Sequence, residues 1–272
     1  MPRTAAVVGD NTIDEYLGAE PGRFVGGNAL NVGAQLVAAG VSSRYFGAIG
    51  ADAAGEAIAR GIRRAELDPV GLVTRDGATA VTRIDVRPDG ERVFVSEDFG
   101  VTADYAPGPG EHALIAGADW VHLGKLGDAG AVRKAIVARR DPNRSGRPLM
   151  SQDCAVSEGF AGLEVAFGSV GDGPEEAARA WAREAVRGGA ALAVVTRGAA
   201  GALAFDGASW SSQAASPAHV VDTTGAGDAF IAGFIAARLA GLVVADALAA
   251  ASERGARACE HRGGWPAARI DG

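Results

Sequence analysis

The chain of 272 residues has only two cysteines, Cys154 and Cys259, in no C-x-x-C arrangement. That disfavours a disulfide framework, a thiolate metal site or thiol catalysis, and both read as buried free thiols. His112, His122 and His261 are scattered without metal-ligand spacing. No G-x-G-x-x-G follows the first apolar run, where the order is Gly9-Asp10-Asn11, which disfavours a nicotinamide-dependent oxidoreductase. Gly124-Lys125 looks like the end of a P-loop, but Leu126 stands where Ser or Thr is needed and the upstream spacing fails. The apolar stretch after Thr4 is too short for a signal peptide. The run from Phe230 to Ala251 is interrupted by Arg238 and Asp246 and broken at Gly241, so it reads as two buried helices rather than a membrane span. A cytoplasmic protein is expected. A net charge of −7 argues against a dominant nucleic-acid or anionic-membrane surface.

What is present is a globular composition, 48% hydrophobic and 22% charged. Length allows one large α/β domain over residues 1–272. Short β-rich runs (Ala5–Gly9, Ser43–Ile49, Trp120–Leu123, Leu149–Asp153, Val165–Ser169, Ala191–Thr196) alternate with helical stretches (Ala29–Ala39, Ala53–Ala65, Glu175–Arg187). That alternation predicts a mainly parallel sheet with helices on both faces. Ligands of such sheets bind beyond the carboxyl ends of the strands. The loops to watch are therefore Gly9–Asp14, Gly26–Asn31, Asp153, Thr196–Gly201 and Asp222–Asp228. Ala78–Val86 and Glu91–Glu97, joined by Arg87-Pro88-Asp89-Gly90, read instead as a hairpin, a small β-lid inserted around residues 78–100.

The most informative string is Val221-Asp222-Thr223-Thr224-Gly225-Ala226-Gly227-Asp228-Ala229-Phe230. Gly225 and Gly227 flank Ala226, so the backbone can turn tightly and present successive N–H groups. The apolar run that follows places this loop at a helix N-terminus, which favours an anion. Asp228 at that entry reads either as a helix cap or as a carboxylate able to take a proton from a hydroxyl attacking a phosphate. Gly26-Gly27-Asn28-Ala29-Leu30-Asn31 has related features: paired glycines that allow a ligand close to the backbone, and two amides offering donors and acceptors. Asp10, Asn11 and Asp14 follow the first strand, where carboxylates suit vicinal hydroxyls and also suit turns.

The first string resembles the D-T-x-G-A-G-D signature of the ribokinase-like (PfkB) carbohydrate kinases. The resemblance extends from Val7 to Trp265 and includes G-G-x-x-x-N at Gly26–Asn31 and G-x-I-G-x-D-x-x-G at Gly47–Gly55. It implies a ribokinase-like fold in which Gly225, Ala226 and Gly227 form an anion hole and Asp228 is the catalytic base. Asp14 becomes the foremost sugar contact, with Asp10, Asn11, Gly26, Gly27, Asn28 and Asn31 around it. Thr196-Arg197-Gly198-Ala199-Ala200-Gly201 resembles the family's T-x-G-x-x-G, which places nucleotide phosphates at Thr196, Gly198 and Gly201. The family's N-x-x-E magnesium motif is replaced by Ser169-Val170-Gly171-Asp172, leaving Asp172 as a shorter acid for the water shell of Mg2+. Asp222 and nearby carbonyls are candidates for a monovalent cation such as K+.

ATP and Mg2+ are thus implied, with a sugar or sugar–amine as acceptor and a homodimer formed through the lid. Gly9–Asp14, Gly26–Val32, Glu91–Phe94, Gly100–Asp104 and Gly263–Trp265 look most like the branch that converts fructoselysine to its 6-phosphate. The cationic amine of such an Amadori sugar could be offset by Asp10, or by Glu97 and Asp98 near the lid. Kinases of fructose, ribose or 2-keto-3-deoxygluconate, and a non-catalytic sugar- or nucleotide-binding protein, are the competing expectations. The helix N-terminus is expected to keep Asp228 ionised.

Overall fold

Strand β1 (Thr4–Val8) alternates Ala5 and Val7 toward one side with Ala6 and Val8 toward the other, and all four are fully buried. A strand covered on both faces belongs at the centre of a doubly covered parallel sheet. The computed structural model describes residues 3–18, 21–86, 92–138 and 148–270.

After β1 come β2 (Thr12–Gly18), β3 (Gly22–Gly26), α1 (Asn28–Ala38), β4 (Ser42–Gly50), α2 (Ala53–Arg64) and β5 (Asp68–Arg75). Strands β6 (Val81–Val86) and β7 (Arg92–Asp98) precede α3 (Pro109–Ala116), β8 (Trp120–Leu123), α4 (Ala129–Ala138) and β9 (Leu149–Asp153). The remainder is β10 (Val165–Ser169), α5 (Glu175–Arg187), β11 (Leu192–Thr196), β12 (Ala202–Phe205), β13 (Trp210–Gln213), α6 (Ala226–Leu239) and α7 (Val244–Ala258).

The large sheet runs β13-β12-β11-β10-β9-β8-β1-β4-β5. It is parallel from β11 through β5, and β12 and β13 close one edge antiparallel. The expected α/β architecture is therefore present. One face carries α1, α2, α6 and α7, packed around Leu30, Ile58, Phe230, Phe234 and Trp120. The other carries α3, α4 and α5 over Ala6, Val8, Val121 and Val195. Fully burying such aliphatic and aromatic side chains stabilises by roughly 1.5–3 kcal/mol each. Helix α6 lies against α7 through small residues, and a Cβ at Gly233 would come within 2.9 Å of Ala251 Cα.

The second sheet differs from the expected hairpin. It has four strands, β3-β2-β6-β7, so half of it comes from residues 12–26, of which 12–14 and 26 read as loop in the sequence and the rest carries no expected strand. Strand β2 escapes a period-two reading because Thr12, Ile13 and Asp14 are all buried, one face against the core and the other toward the site. The Arg87–Gly90 turn lies outside the described residues. Among the described residues no helix is long and apolar enough to cross a membrane.

Candidate active site

Helix α6 begins at Gly225, which caps it in the left-handed conformation at φ 72°. A side chain there would be strained and its Cβ would stand 2.7 Å from Gly264 Cα. Gly227 has open space where a Cβ would be, so its flank of the first turn is unobstructed, while the Ala226 N–H closes on the Thr223 carbonyl at 3.2 Å. The loop ahead of the helix is braced by Asp222. Its Oδ1 accepts from the Thr224 N–H at 2.9 Å and the Thr224 hydroxyl at 2.7 Å. Its Oδ2 accepts from Tyr16 Oη at 2.9 Å and the Gly263 N–H at 3.0 Å. Burial alone would raise this carboxyl, but the four donors outweigh it and hold Asp222 below the ordinary carboxylate range. With two donors on each oxygen, the carboxylate has its acceptor positions taken within the chain.

Asp228 faces α1. Asn28 and Asn31, three residues apart and so on one side of that helix, donate Nδ2 to Asp228 Oδ1 and Oδ2, each at 2.7 Å. The Asn28 amide also reaches Asp153 Oδ2, at the end of β9, at 2.8 Å. Asp10, at the end of β1, accepts the N–H groups of Asn28 and Ala29, both at 3.0 Å, and so caps α1. Three carboxylates from three elements therefore surround one asparagine.

Burial pushes all three carboxyls up. Asp228 lies well above the ordinary range, further raised by Asp153 and Asp10 and only partly relieved by the two amides. Asp153 is raised by burial and by Asp10. Asp10 is raised by burial despite its two backbone N–H donors and the charge of Lys125. The expectation that the helix N-terminus keeps Asp228 ionised is thus opposed by burial and, after it, by the like charges of Asp153 and Asp10.

The other expected residues fall into two groups. Asp14 lies on β2, inside a strand rather than a loop, and a Cβ at Gly26 would land inside its carboxylate. Gly27, at φ 108°, sits where a Cβ would meet Asn11 Cα at 2.5 Å. The paired glycines thus make room for Asp14 and Asn11, not only for a ligand. Asn11 is 1% exposed, its amide spent on Tyr45 Oη at 3.0 Å and the Ala48 carbonyl at 2.8 Å.

The second group is the loop after β11. Thr196 ends the strand, Gly198 (φ 51°) and Gly201 (φ 89°) take left-handed turns, and the Arg197 N–H closes on the Gly201 carbonyl at 2.7 Å. Asp172 is exposed over this loop, where its Oδ1 would meet a Cβ at Gly198 at 2.6 Å. No hydrogen bond joins this loop to the Asp228 cluster among the described residues.

Among the described residues no group of three or more His, Cys, Asp or Glu side chains is arranged to hold a metal by itself. An ion held mainly by water and phosphate oxygens, as Mg2+ prefers, fits that donor set. His122 is fully buried in β8, burial pushing its pKa down to about 3, so it is neutral and structural. The two thiols are free but partly exposed rather than buried, because Cys154 follows the strand end and Cys259 caps α7. Burial pushes the Cys154 thiol up to about 12, which leaves it unreactive. In the sequence Asp153 reads only as a strand-end loop and Gly263 only as part of the branch resemblance, and nothing there marks Tyr16. Their roles come from contacts between segments distant in sequence.

An open helix start, a carboxylate fixed beside it and a separate glycine loop at the strand ends are the parts a phosphotransferase of the α/β class requires. The fold is that of the ribokinase of Arabidopsis thaliana, solved with ribose and ATP (TM-score 0.84, 20% identity, 98% of this chain and 96% of that one). The chain belongs to the pfkB family of carbohydrate kinases, whose model matches residues 7–131 and 160–268. It is 31% identical to the fructoselysine 6-kinases of Shigella flexneri and Escherichia coli (strain K12), over 97% of this chain and 100% of each. It is 28% identical to a fructosamine kinase of Bacillus subtilis, over 93% of this chain and 89% of that one. The protein is an ATP-dependent carbohydrate kinase.

Proposed function

We propose that the enzyme phosphorylates a primary hydroxyl of a sugar–amine (Amadori) compound, converting fructoselysine to fructoselysine 6-phosphate, and that the whole chain works as one catalytic unit in the cytoplasm. The observation that carries this reading is Asp228, fixed by Asn28 and Asn31 at the open N-terminus of α6. Its carboxylate retains lone pairs beyond the two amide contacts and accepts the proton of the attacking hydroxyl. The Gly225-Ala226-Gly227 loop at the start of α6 holds the charge of the transferring phosphoryl group, the Ala226 N–H first leaving the Thr223 carbonyl it meets at 3.2 Å. A raised pKa makes Asp228 a stronger base once ionised, and the loose transition state asks for little early deprotonation.

Thr196, Gly198 and Gly201 receive the nucleotide phosphates. Mg2+, when bound, neutralises phosphate charge, and Asp172 is the acid placed to order its water shell. A monovalent ion such as K+ would rest on the carbonyls around Asp222, whose carboxylate is already saturated.

The acceptor lies against the small sheet. Phe24, Asp14, Thr82 and Glu97 stand in one row across β3, β2, β6 and β7. Directly paired residues share a face, so Asp14 offers a carboxylate to the sugar hydroxyls and Glu97 a second one for the cationic amine. Phe94 and Val95, exposed on edge strand β7, support a homodimer through this lid, a state that sedimentation measures directly. The substrate is tested by ADP release with ATP and fructoselysine, fructose, ribose or 2-keto-3-deoxygluconate. A kcat/KM for fructoselysine at least tenfold above the others is expected; equal or greater activity on an uncharged sugar overturns the substrate.

A further inference from the structure

We infer that Tyr16 is a positioning residue that couples occupancy of the sugar site to the shape of the phosphoryl-holding loop. It reaches from the sugar-facing strand onto Asp222 and Thr224. Tyr16 has this role only if Asp14 contacts the acceptor, as read above.

Asp14 and Tyr16 are two residues apart on β2 and therefore project from the same face, separated by roughly 6.6 Å along the strand. Tyr16 is 3% exposed and its ring has a single seat. Phe24 meets it edge-on at 5.0 Å, and the Arg262 guanidinium lies over it at 5.1 Å. Its hydroxyl emerges 2.9 Å from Asp222 Oδ2 and 2.5 Å from Thr224 Oγ1, across about two hundred residues of sequence. Those two residues are the hinge of the anion loop. Thr224 precedes Gly225, which caps α6, and Asp222 holds both Thr224 and the Gly263 N–H.

Proton accounting fixes how the phenol takes part. The Thr224 hydroxyl has one proton and the Asp222 carboxylate none. With Thr224 donating to Asp222 Oδ1, the Tyr16 proton goes to Asp222 Oδ2 or to Thr224 Oγ1. Either assignment joins the strand to the loop through one short, buried link. Hydrogen bonds of this kind weaken steeply when stretched by more than about half an ångström. A ligand that settles β2 through Asp14 therefore settles the start of α6, and a phosphate group on that helix start settles β2. Such linkage is reciprocal: sugar must tighten nucleotide by the same factor as nucleotide tightens sugar. Glu15, on the opposite face of β2, is engaged with Arg23 and Arg83 within the small sheet.

The test is binding of a non-hydrolysable ATP analogue to the full-length protein with and without saturating acceptor, by calorimetry, alongside kcat. In the wild type the acceptor is expected to tighten the analogue by roughly tenfold, within the usual range of coupled sites. Tyr16→Phe should bring that ratio to within about twofold of unity and lower kcat about tenfold. Each ligand's affinity measured alone should stay within about threefold of wild type.

A purely structural tyrosine would instead lower Tm or weaken both ligands while preserving the ratio, and that result overturns the inference. Thr224→Val removes the Thr224 arm of the link and leaves the Tyr16–Asp222 arm, so it should lower the ratio by at least twofold; an unchanged ratio overturns the inference if Tyr16→Phe does not fold. A wild type with no coupling also overturns it. Asp14→Asn separates the two levels. If it weakens sugar binding while Tyr16→Phe keeps a wild-type ratio, the sugar site stands and the coupling fails. If Asp14→Asn leaves sugar affinity unchanged, both fail.

Discussion

Asn31 donates Nδ2 to one oxygen of Asp228 while Asn28, one helical turn earlier, serves the other, both at 2.7 Å. The Asp228 carboxylate is therefore held by α1, not by its own helix, and the two amide oxygens have no partners among the described residues. This clamp orients the carboxylate while leaving its remaining lone pairs for a substrate proton.

Asp228→Asn removes the base at nearly constant size, and the Asn31 amide, whose oxygen has no partner among the described residues, must turn to accept from the new NH2. Turnover should fall by about 10³-fold, within the range for loss of a general base. ATP-analogue affinity should stay within about threefold. Because a carboxyl whose ionisation is opposed by burial, Asp153 and Asp10 is replaced by a neutral amide, the variant's Tm should gain on the wild type as pH rises from the ordinary carboxylate range toward the raised value of Asp228. A variant with near-normal kcat would remove Asp228 from the mechanism.

The pH dependence follows from the same three carboxyls. Asp228, Asp153 and Asp10 all bind their protons more tightly folded than unfolded. Ionising them costs the folded state nothing below the ordinary carboxylate range. The cost grows as pH rises toward their raised values and is constant above them. Asp222 is opposite in sign: its lowered pKa gives stability that is present at neutral pH and lost as pH falls through its folded value. For catalysis, the acid limb of kcat/KM should lie above the usual carboxylate range, since ionised Asp228 is the active form. Asp153→Asn removes one like charge and should shift that limb to lower pH; an unmoved limb would show that Asp153 does not act on the base.

Much of the α6 end of this site is legible in sequence because its requirements are local. Gly225 needs positive φ, Gly227 needs an open flank, and Asp228 is one turn into the helix that follows. The strand ends are legible for the same reason, since apolar runs such as Leu192–Thr196 declare where the sheet stops. The clamp and the brace are not. Asn28 meets Asp153 across 125 residues and Tyr16 meets Asp222 across 206, and neither pairing leaves a trace in spacing. Strand β2 stays hidden because burial on both faces erases the alternation that marks a half-buried strand. The raised pKa of Asp228 is hidden because it depends first on burial and then on two carboxylates at the ends of distant strands.

Gly26→Ala tests why the paired glycines are there. The new methyl would occupy the space of the Asp14 carboxylate. Backbone strain is not the issue at this position, because the glycine lies within β3 rather than in a left-handed turn. Asp14 must therefore swing away, and the expected result is a sugar KM raised by at least tenfold with ATP KM unchanged. Gly227→Ala is the contrasting case: its Cβ meets nothing in the protein, so folding should be intact and any loss should appear in kcat.

Glu97→Gln addresses the substrate itself. Glu97 stands in register with Thr82, and Thr82 with Asp14, so the acid lies two strands, roughly 10 Å, from the sugar-facing carboxylate. That separation suits an amine attached to one end of a sugar whose hydroxyls engage Asp14. The site is exposed, so the attraction is screened and modest. KM for fructoselysine should rise roughly threefold in Glu97→Gln, while KM for fructose, which has no amine, should not change. Raising salt toward 1 M, where the Debye length falls to about 3 Å, should weaken fructoselysine binding by the wild type and shrink the difference between the two proteins. Equal effects on both sugars would mean that Glu97 acts on the lid rather than on the amine, and the cationic part of the acceptor would then have to be read by Asp10 or Asp153 at the strand ends.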